Sequence, residues 1–199
     1  MPYAPQNFDR LIGTPGFSDT LLKNHFTLYQ GYVTNTNKLS DKLAGFLKEG
    51  KTAEPEYAEL KRRFGWEFDG MRMHEIYFGN MTKAPVATPK DTPLYKKIVE
   101  DFGSWEAWEK DFRGVGAIRG IGWAILTYDK CGDRLFNSWV LEHDGGQQVG
   151  CKPVVLMDVW EHAFMIDYGL KRADYIEAFF KAIDWTVAAD RFNGCGCKK

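Results

Sequence analysis

The chain has 199 residues, enough for one sizeable domain or two small ones sharing a core. Its 26 Lys+Arg against 27 Asp+Glu leave a net charge of -1, without the basic excess that marks a nucleic-acid or membrane-surface binder. No run approaches the about 20 apolar residues of a membrane-spanning helix. The opening MPYAPQNFDRLIG lacks the basic and apolar regions of a secretory signal, so a cytoplasmic location is expected.

The first element is a helix from Asp19 to about Leu47. Ser18 and Asp19 are good caps, and Leu21, Leu22, His25, Leu28, Tyr29 and Tyr32 recur at three- and four-residue steps. A second helix begins near Pro55 and runs to about Met81, with Gly65 and Gly70 as points where it could bend. The two are expected to pack as a hairpin. Residues 82–97 carry Pro85, Pro89 and Pro93 and read as a linker, dividing the chain into 1–84 and 85–199. A third helical stretch covers residues 92–118. The period then changes: GWAILTYD, RLFNSWVLEHD and KPVVLMDV are short, apolar or alternating, and bounded by Gly, Asp or Pro, as strands are. YIEAFFKAIDWTVAADRF closes the chain as one helix. The expected class is α+β, with an N-terminal helical hairpin before a C-terminal α/β domain built on a small three-stranded antiparallel sheet.

Four histidines carry most of the chemical interest: His25, His74, His143 and His162. A buried imidazole needs a partner. Singly, each could be satisfied by a carbonyl or hydroxyl. Together, with Asp158 at the end of an apolar strand and His162 four residues on, one shared metal is the more economical arrangement. Neutral imidazoles with one carboxylate suit Zn, Fe, Mn or Co rather than Ca or Mg. The cysteines are Cys131, Cys151, Cys195 and Cys197. The last pair, Cys-x-Cys, is too short for a CxxC zinc clamp and has no second half nearby, so free thiols are the default.

DVWEHAF, residues 158–164, resembles the C-terminal signature of the iron/manganese superoxide dismutase family. NHFTLYQGYVTNTN and HEIYFGNM resemble that family's first and second ligand helices, GIGWAIL its Gly-Trp strand and RADYIEAFFKAIDW its final helix. The resemblance runs from about Ser18 to Phe192, and the first seventeen residues depart from the usual family opening.

The resemblance implies a superoxide dismutase holding one Fe or Mn per chain through His25, His74, Asp158 and His162, with solvent as fifth ligand. Zinc is set aside because it has no redox cycle. His143 falls where the family places the donor to that solvent. Gly70 stands where iron-type members often carry a Gln, which leans toward the manganese layout, whereas a histidine at 143 is compatible with either metal. Tyr29 and Tyr32 would line the pocket, Trp123 and Trp160 would wall it, and Arg172 would either steer the anion or make a surface ion pair. Tyr29 and Met165 replace a His and a Tyr that meet across the family's dimer interface. The resemblance also implies a homodimer, or a tetramer stacked from dimers, with Glu161 reaching the partner's ligand histidine. The alternative is a non-catalytic metal-binding or structural protein on the same scaffold.

Overall fold

The computed structural model describes residues 1–84 and 90–194. The centre of the expected linker, the first residues of the 85–199 half and the Cys195/Cys197 tail lie outside them.

Helix α1 (Asp19–Lys48) starts where the Ser18 hydroxyl accepts the Leu21 N–H. Its inward stripe is Leu21, Leu22, His25, Phe26, Tyr29, Val33 and Thr36. Helix α2 (Pro55–Gly79) starts on a proline, whose missing N–H is no loss in a first turn, and passes Gly65 and Gly70 unbroken. The two form the expected hairpin. The opening residues pack upon it. Phe8, Leu11 and Phe17 are buried, and the Arg10 guanidinium donates to the carbonyls of Phe78 and Met81 at the end of α2.

The third helical stretch is two helices, α3 (Pro93–Phe102) and α4 (Trp105–Gly116). Gly103 takes a left-handed φ of 84° and Ser104 caps the next helix through the Ala107 N–H. Strands β1 (Gly122–Asp129), β2 (Arg134–Leu141) and β3 (Lys152–Asp158) form one antiparallel sheet in the order β2-β1-β3. The second strand stops three residues short of the sequence expectation, because Glu142 turns the chain at φ 51° and releases His143 into a loop.

After β3 the chain makes a 3-10 turn, Glu161–Ala163, then a short α5 (Met165–Tyr168), so His162 sits on a 3-10 turn rather than in the first turn of an α-helix. The closing helix is also two, α6 (Arg172–Ala182) and α7 (Trp185–Gly194). Asp184 divides them by accepting the N–H groups of Thr186 and Val187. The break is also a stitch: Ala182 O accepts from Thr82, Asn80 O accepts from Asp184, and Met81 bridges Ile183. One hydrophobic core runs from the hairpin into the sheet and α6. Among the described residues, no helix is long and apolar enough to cross a membrane.

Candidate metal centre

Each half of the chain delivers two donors to one buried point. His25 comes from α1 and His74 from α2. Asp158 ends β3, and His162 follows on the 3-10 turn. Their ligand atoms all lie within 4.8 Å of one another. The Asp158 Oδ2 is 3.2 Å from His25 Nε2, 3.6 Å from His74 Nε2 and 3.2 Å from His162 Nε2.

The protonation states suit a cation. His74 Nδ1 is 2.6 Å from the Gly70 carbonyl, which can only accept, so this nitrogen carries the proton. The neutral ring therefore presents a bare lone pair at Nε2, and that atom is buried without a hydrogen-bond partner. Burial, reinforced by the charge of neighbouring His25, pushes His74 well below the ordinary imidazole range. Burial likewise lowers His25. Burial opposes ionisation of Asp158, but the charge of His162 and hydrogen bonds from His162 and His25 outweigh it and hold the carboxyl far below the usual carboxylate range. An ionised carboxylate facing the bare His74 Nε2, with His25 Nε2 and His162 Nε2 aimed at the same oxygen, becomes a mid-transition-metal donor set once a cation displaces the hydrogens those two rings share with it, and the unpartnered His74 Nε2 is what such an ion would satisfy.

Asp158 is itself held in place. Its Oδ1 accepts the Trp160 N–H at 2.9 Å, and its backbone carbonyl accepts from the Tyr175 hydroxyl at 2.5 Å. Tyr175 is in turn paired with Tyr77 at 3.1 Å, deep in the core.

Around the donors stands an aromatic wall. Trp123 is fully buried, meets His74 edge-on at 5.0 Å, and donates its indole N–H to His143 Nδ1 at 3.1 Å. Trp160 stacks on both His143 and His162. His143 Nε2 is 2.8 Å from the Tyr32 hydroxyl, and the Tyr32 ring stacks on His74. Burial pushes His143 down to about 4 and raises Tyr32 well above its ordinary value. His143 is therefore neutral near pH 7, and both of its ring nitrogens are occupied.

The remaining expected residues fall further out. Tyr29 is buried 6.3 Å from His74, ring to ring, but its hydroxyl donates to Glu75 at 2.9 Å and accepts the Gln6 N–H at 2.9 Å. Glu75 is also paired with Arg72. Arg172 donates to the carbonyls of Ile118 and Gly120 and lies over Phe164. Glu161 is exposed on the outer side of the 3-10 turn.

Four participants carried no sequence signal that singled them out: Trp66, Glu142, Glu75 and Tyr175. Trp66 meets His143 edge-on at 4.6 Å and donates to the Glu142 carboxylate, while the Glu142 carbonyl accepts from Trp160. The packing role of Gly70 leaves no mark in the sequence. A Cβ there would lie 2.7 Å from the Tyr32 ring.

Residues 89–191 match the family described as iron/manganese superoxide dismutases, C-terminal domain. Manganese superoxide dismutase 2 of Haloferax volcanii is 35% identical over 95% of this chain and 92% of its own length. The iron superoxide dismutase of Aquifex pyrophilus is 36% identical over 95% of this chain and 87% of its own. The manganese superoxide dismutase of Haloarcula marismortui is 34% identical over 97% of this chain and 93% of its own length, an alignment that extends into the first seventeen residues. Relatives named for both metals stand at the same distance, and the four converging donors are the set such an ion requires. The chain belongs to the iron/manganese superoxide dismutase family.

Proposed function

We propose that this protein is a superoxide dismutase, converting two superoxide anions and two protons into dioxygen and hydrogen peroxide. His25, His74, Asp158 and His162 hold one Fe or Mn ion per chain. The observation that carries the proposal is the convergence of three imidazole nitrogens on one buried carboxylate oxygen, with the His74 Nε2 lone pair otherwise unsatisfied. A bound Fe or Mn supplies the one-electron cycling; the chain supplies binding, dryness and protons.

The proton path can be followed atom by atom. An indole N–H only donates, so His143 Nδ1 accepts from Trp123. Neutral His143 then carries its hydrogen on Nε2 and donates it to Tyr32 Oη. The Tyr32 hydroxyl proton is left for an acceptor on the other side of the oxygen, which is where a reduced substrate needs one. His143 thus acts through Tyr32 and fixes its orientation. Trp123 and Trp160 exclude water and set the plane of the His143 ring. Tyr29, whose hydroxyl is bound to Glu75 and Gln6, acts as wall rather than gate. Arg172 braces Phe164 and the loop at residues 118–120, and adds positive charge that favours approach of an anion.

We assign the chain two structural halves, residues 1–84 and 85–199, each giving two donors. The homodimer, or tetramer stacked from dimers, would form on the segment carrying Glu161, Met165, Ile166 and Leu170, where three exposed apolar side chains follow the carboxylate within nine residues of sequence. Glu161 would there reach the partner's ligand histidine. A cytoplasmic setting is the one in which Cys131 and Cys151, unpaired among the described residues, would stay reduced. The non-catalytic reading is not favoured, since the His143–Tyr32 pair would have no task in it.

The test measures Fe and Mn content and superoxide turnover on the same sample. About one ion per chain with turnover proportional to content is expected. No metal in native protein, and no uptake on refolding with Fe or Mn, would end the proposal.

A further inference from the structure

The chain leaves β2 through a tight loop. The Leu141 N–H donates to Gly145 O at 2.7 Å and the Gly145 N–H donates back to Leu141 O at 3.1 Å, so residues 142–144 form a closed tip. His143, at its centre, is fully buried. Glu142 precedes it at φ 51°, a left-handed conformation that costs a residue with a Cβ free energy. Such strain persists only where the surroundings hold the residue in place.

Glu142 is held by all of its polar groups. Its backbone N–H donates to Ile121 O at 3.0 Å. Its carbonyl accepts the Trp160 indole N–H at 3.3 Å, and its carboxylate accepts the Trp66 indole N–H at 2.9 Å. The two indoles flank the same imidazole. Trp160 stacks on His143 at 4.7 Å with the planes 22° apart, and Trp66 meets it edge-on at 4.6 Å. Trp66 also packs on Tyr32 at 5.5 Å. Ring contacts are broad in angle, whereas a hydrogen bond at the ring perimeter is directional. Both indoles thus take their orientation from one residue. That residue is exposed and is no part of the donor cluster. Its charge does not explain its place, because a carboxylate beside the His143–Tyr32 pair repels an anionic substrate. What the site gains at position 142 is the acceptor.

We propose that Glu142 is a positioning residue of the dismutase site. By accepting from Trp66 and Trp160 on two sides of His143, it holds the imidazole at the angle that donates to Tyr32. Its effect on turnover rests on the dismutase reading; its effect on the rings does not.

The test compares two substitutions that both remove the charge but differ in reach. Glu142→Gln keeps the length and an oxygen acceptor. Glu142→Asn suits a positive φ better but is one methylene short of Trp66. Kinetics use the Fe- or Mn-loaded protein, and nitrogen–proton NMR uses the Zn²⁺-loaded protein, since Zn²⁺ is diamagnetic and has no redox cycle. In the parent protein the Trp66 indole N–H and the His143 Nε2–H should be protected from solvent exchange. Glu142→Asn should expose the first and broaden the second without lowering the unfolding midpoint. Its kcat should fall roughly three- to tenfold, the worth of one hydrogen bond, with KM unchanged. Glu142→Gln should keep both signals and stay within about twofold of the parent kcat. Unchanged signals and turnover in Glu142→Asn, or equal losses in both variants, would overturn the positioning role. A parent protein without turnover would instead end the dismutase reading, and the two N–H signals would still decide the role of Glu142.

Discussion

The Tyr32 hydroxyl and His143 Nε2 are hydrogen-bonded at 2.8 Å across 111 residues of sequence, joining the first helix to the loop after β2. His143 is already committed to Trp123 on its other nitrogen, so its orientation is fixed from both sides. Removing the hydroxyl alone should expose the task of this pair. Tyr32→Phe keeps the ring that stacks on His74 and should keep the metal. Turnover should fall by roughly 100-fold, the lower end for loss of a positioned proton donor. Metal analysis and fast superoxide kinetics on one preparation check it. Full turnover in the variant would place the proton source elsewhere.

Gly70 governs the same contact from below. A Cβ at this position would meet Tyr32 Cδ1 at 2.7 Å and Cε1 at 2.8 Å, so the ring must leave. Gly70→Ala gains about 1 kcal/mol of helix propensity while overpacking takes about 1–3 kcal/mol. Stability should therefore fall by no more than about 2 kcal/mol, whereas turnover should drop to the level of Tyr32→Phe. Adding Tyr32→Phe to Gly70→Ala should lower turnover no further, since both remove one interaction. Additive losses would show that Gly70 acts by another route.

Much of this site was legible in the sequence because its ligands sit on strongly patterned elements. The α1 stripe fixes which way His25 faces, and the apolar run of β3 ends in Asp158. What escaped is of two kinds. Helix breaks at Gly103 and Asp184 were masked because an apolar rhythm continues on both sides of each, although Gly-Ser and Asp before an aromatic are usable cap signals. The Trp66–Glu142 and Tyr29–Glu75 contacts join residues 76 and 46 apart, and no local pattern predicts which side chains meet over such separations.

Metal removal should cost the fold measurable stability. The ion binds the native cluster and has no preformed site in the unfolded chain, which stabilises by about 4 kcal/mol when free metal stands 1,000-fold above its dissociation constant. Chelation should lower the unfolding midpoint, and readdition of Fe or Mn should restore it. His74→Ala should abolish this metal-dependent gain. A midpoint indifferent to metal in the parent protein would mean the cluster does not hold it.

Asp69 offers a pH test away from the metal. Burial, and then the charge of Asp144, push its carboxyl up to about 6, against an ordinary value of about 4. Between these values the folded state binds more protons than the unfolded one, so this residue's contribution to stability falls as pH rises through the window and is flat above it. Asp69→Asn mimics the protonated form. It should be more stable than the parent at about pH 8 and equal to it at about pH 4. Comparing the two proteins at each pH cancels the other titrating groups. An equal difference at both values would contradict the shift.

The face beside His162 gives the last prediction. Leu170 is 92% exposed, and Met165 and Ile166 are exposed with it, next to the exposed Glu161. A monomer gains nothing by holding three large apolar side chains in water so soon after a carboxylate one residue from a metal ligand. A two-fold contact would cover the apolar groups and would give Glu161 a partner, because an isologous interface makes each contact twice. Glu161→Ala removes one group serving both assembly and ligand orientation, so dimer affinity and metal retention should weaken together. Ile166→Asp attacks assembly alone, placing an unpaired charge in the contact, and should dissociate the dimer first, with metal loss following only as monomer accumulates. Light scattering with metal analysis across a dilution series separates the two patterns. A stable, fully active monomer of the parent protein at micromolar concentration would defeat the assembly proposal and leave the Glu161 carboxylate a solvated group.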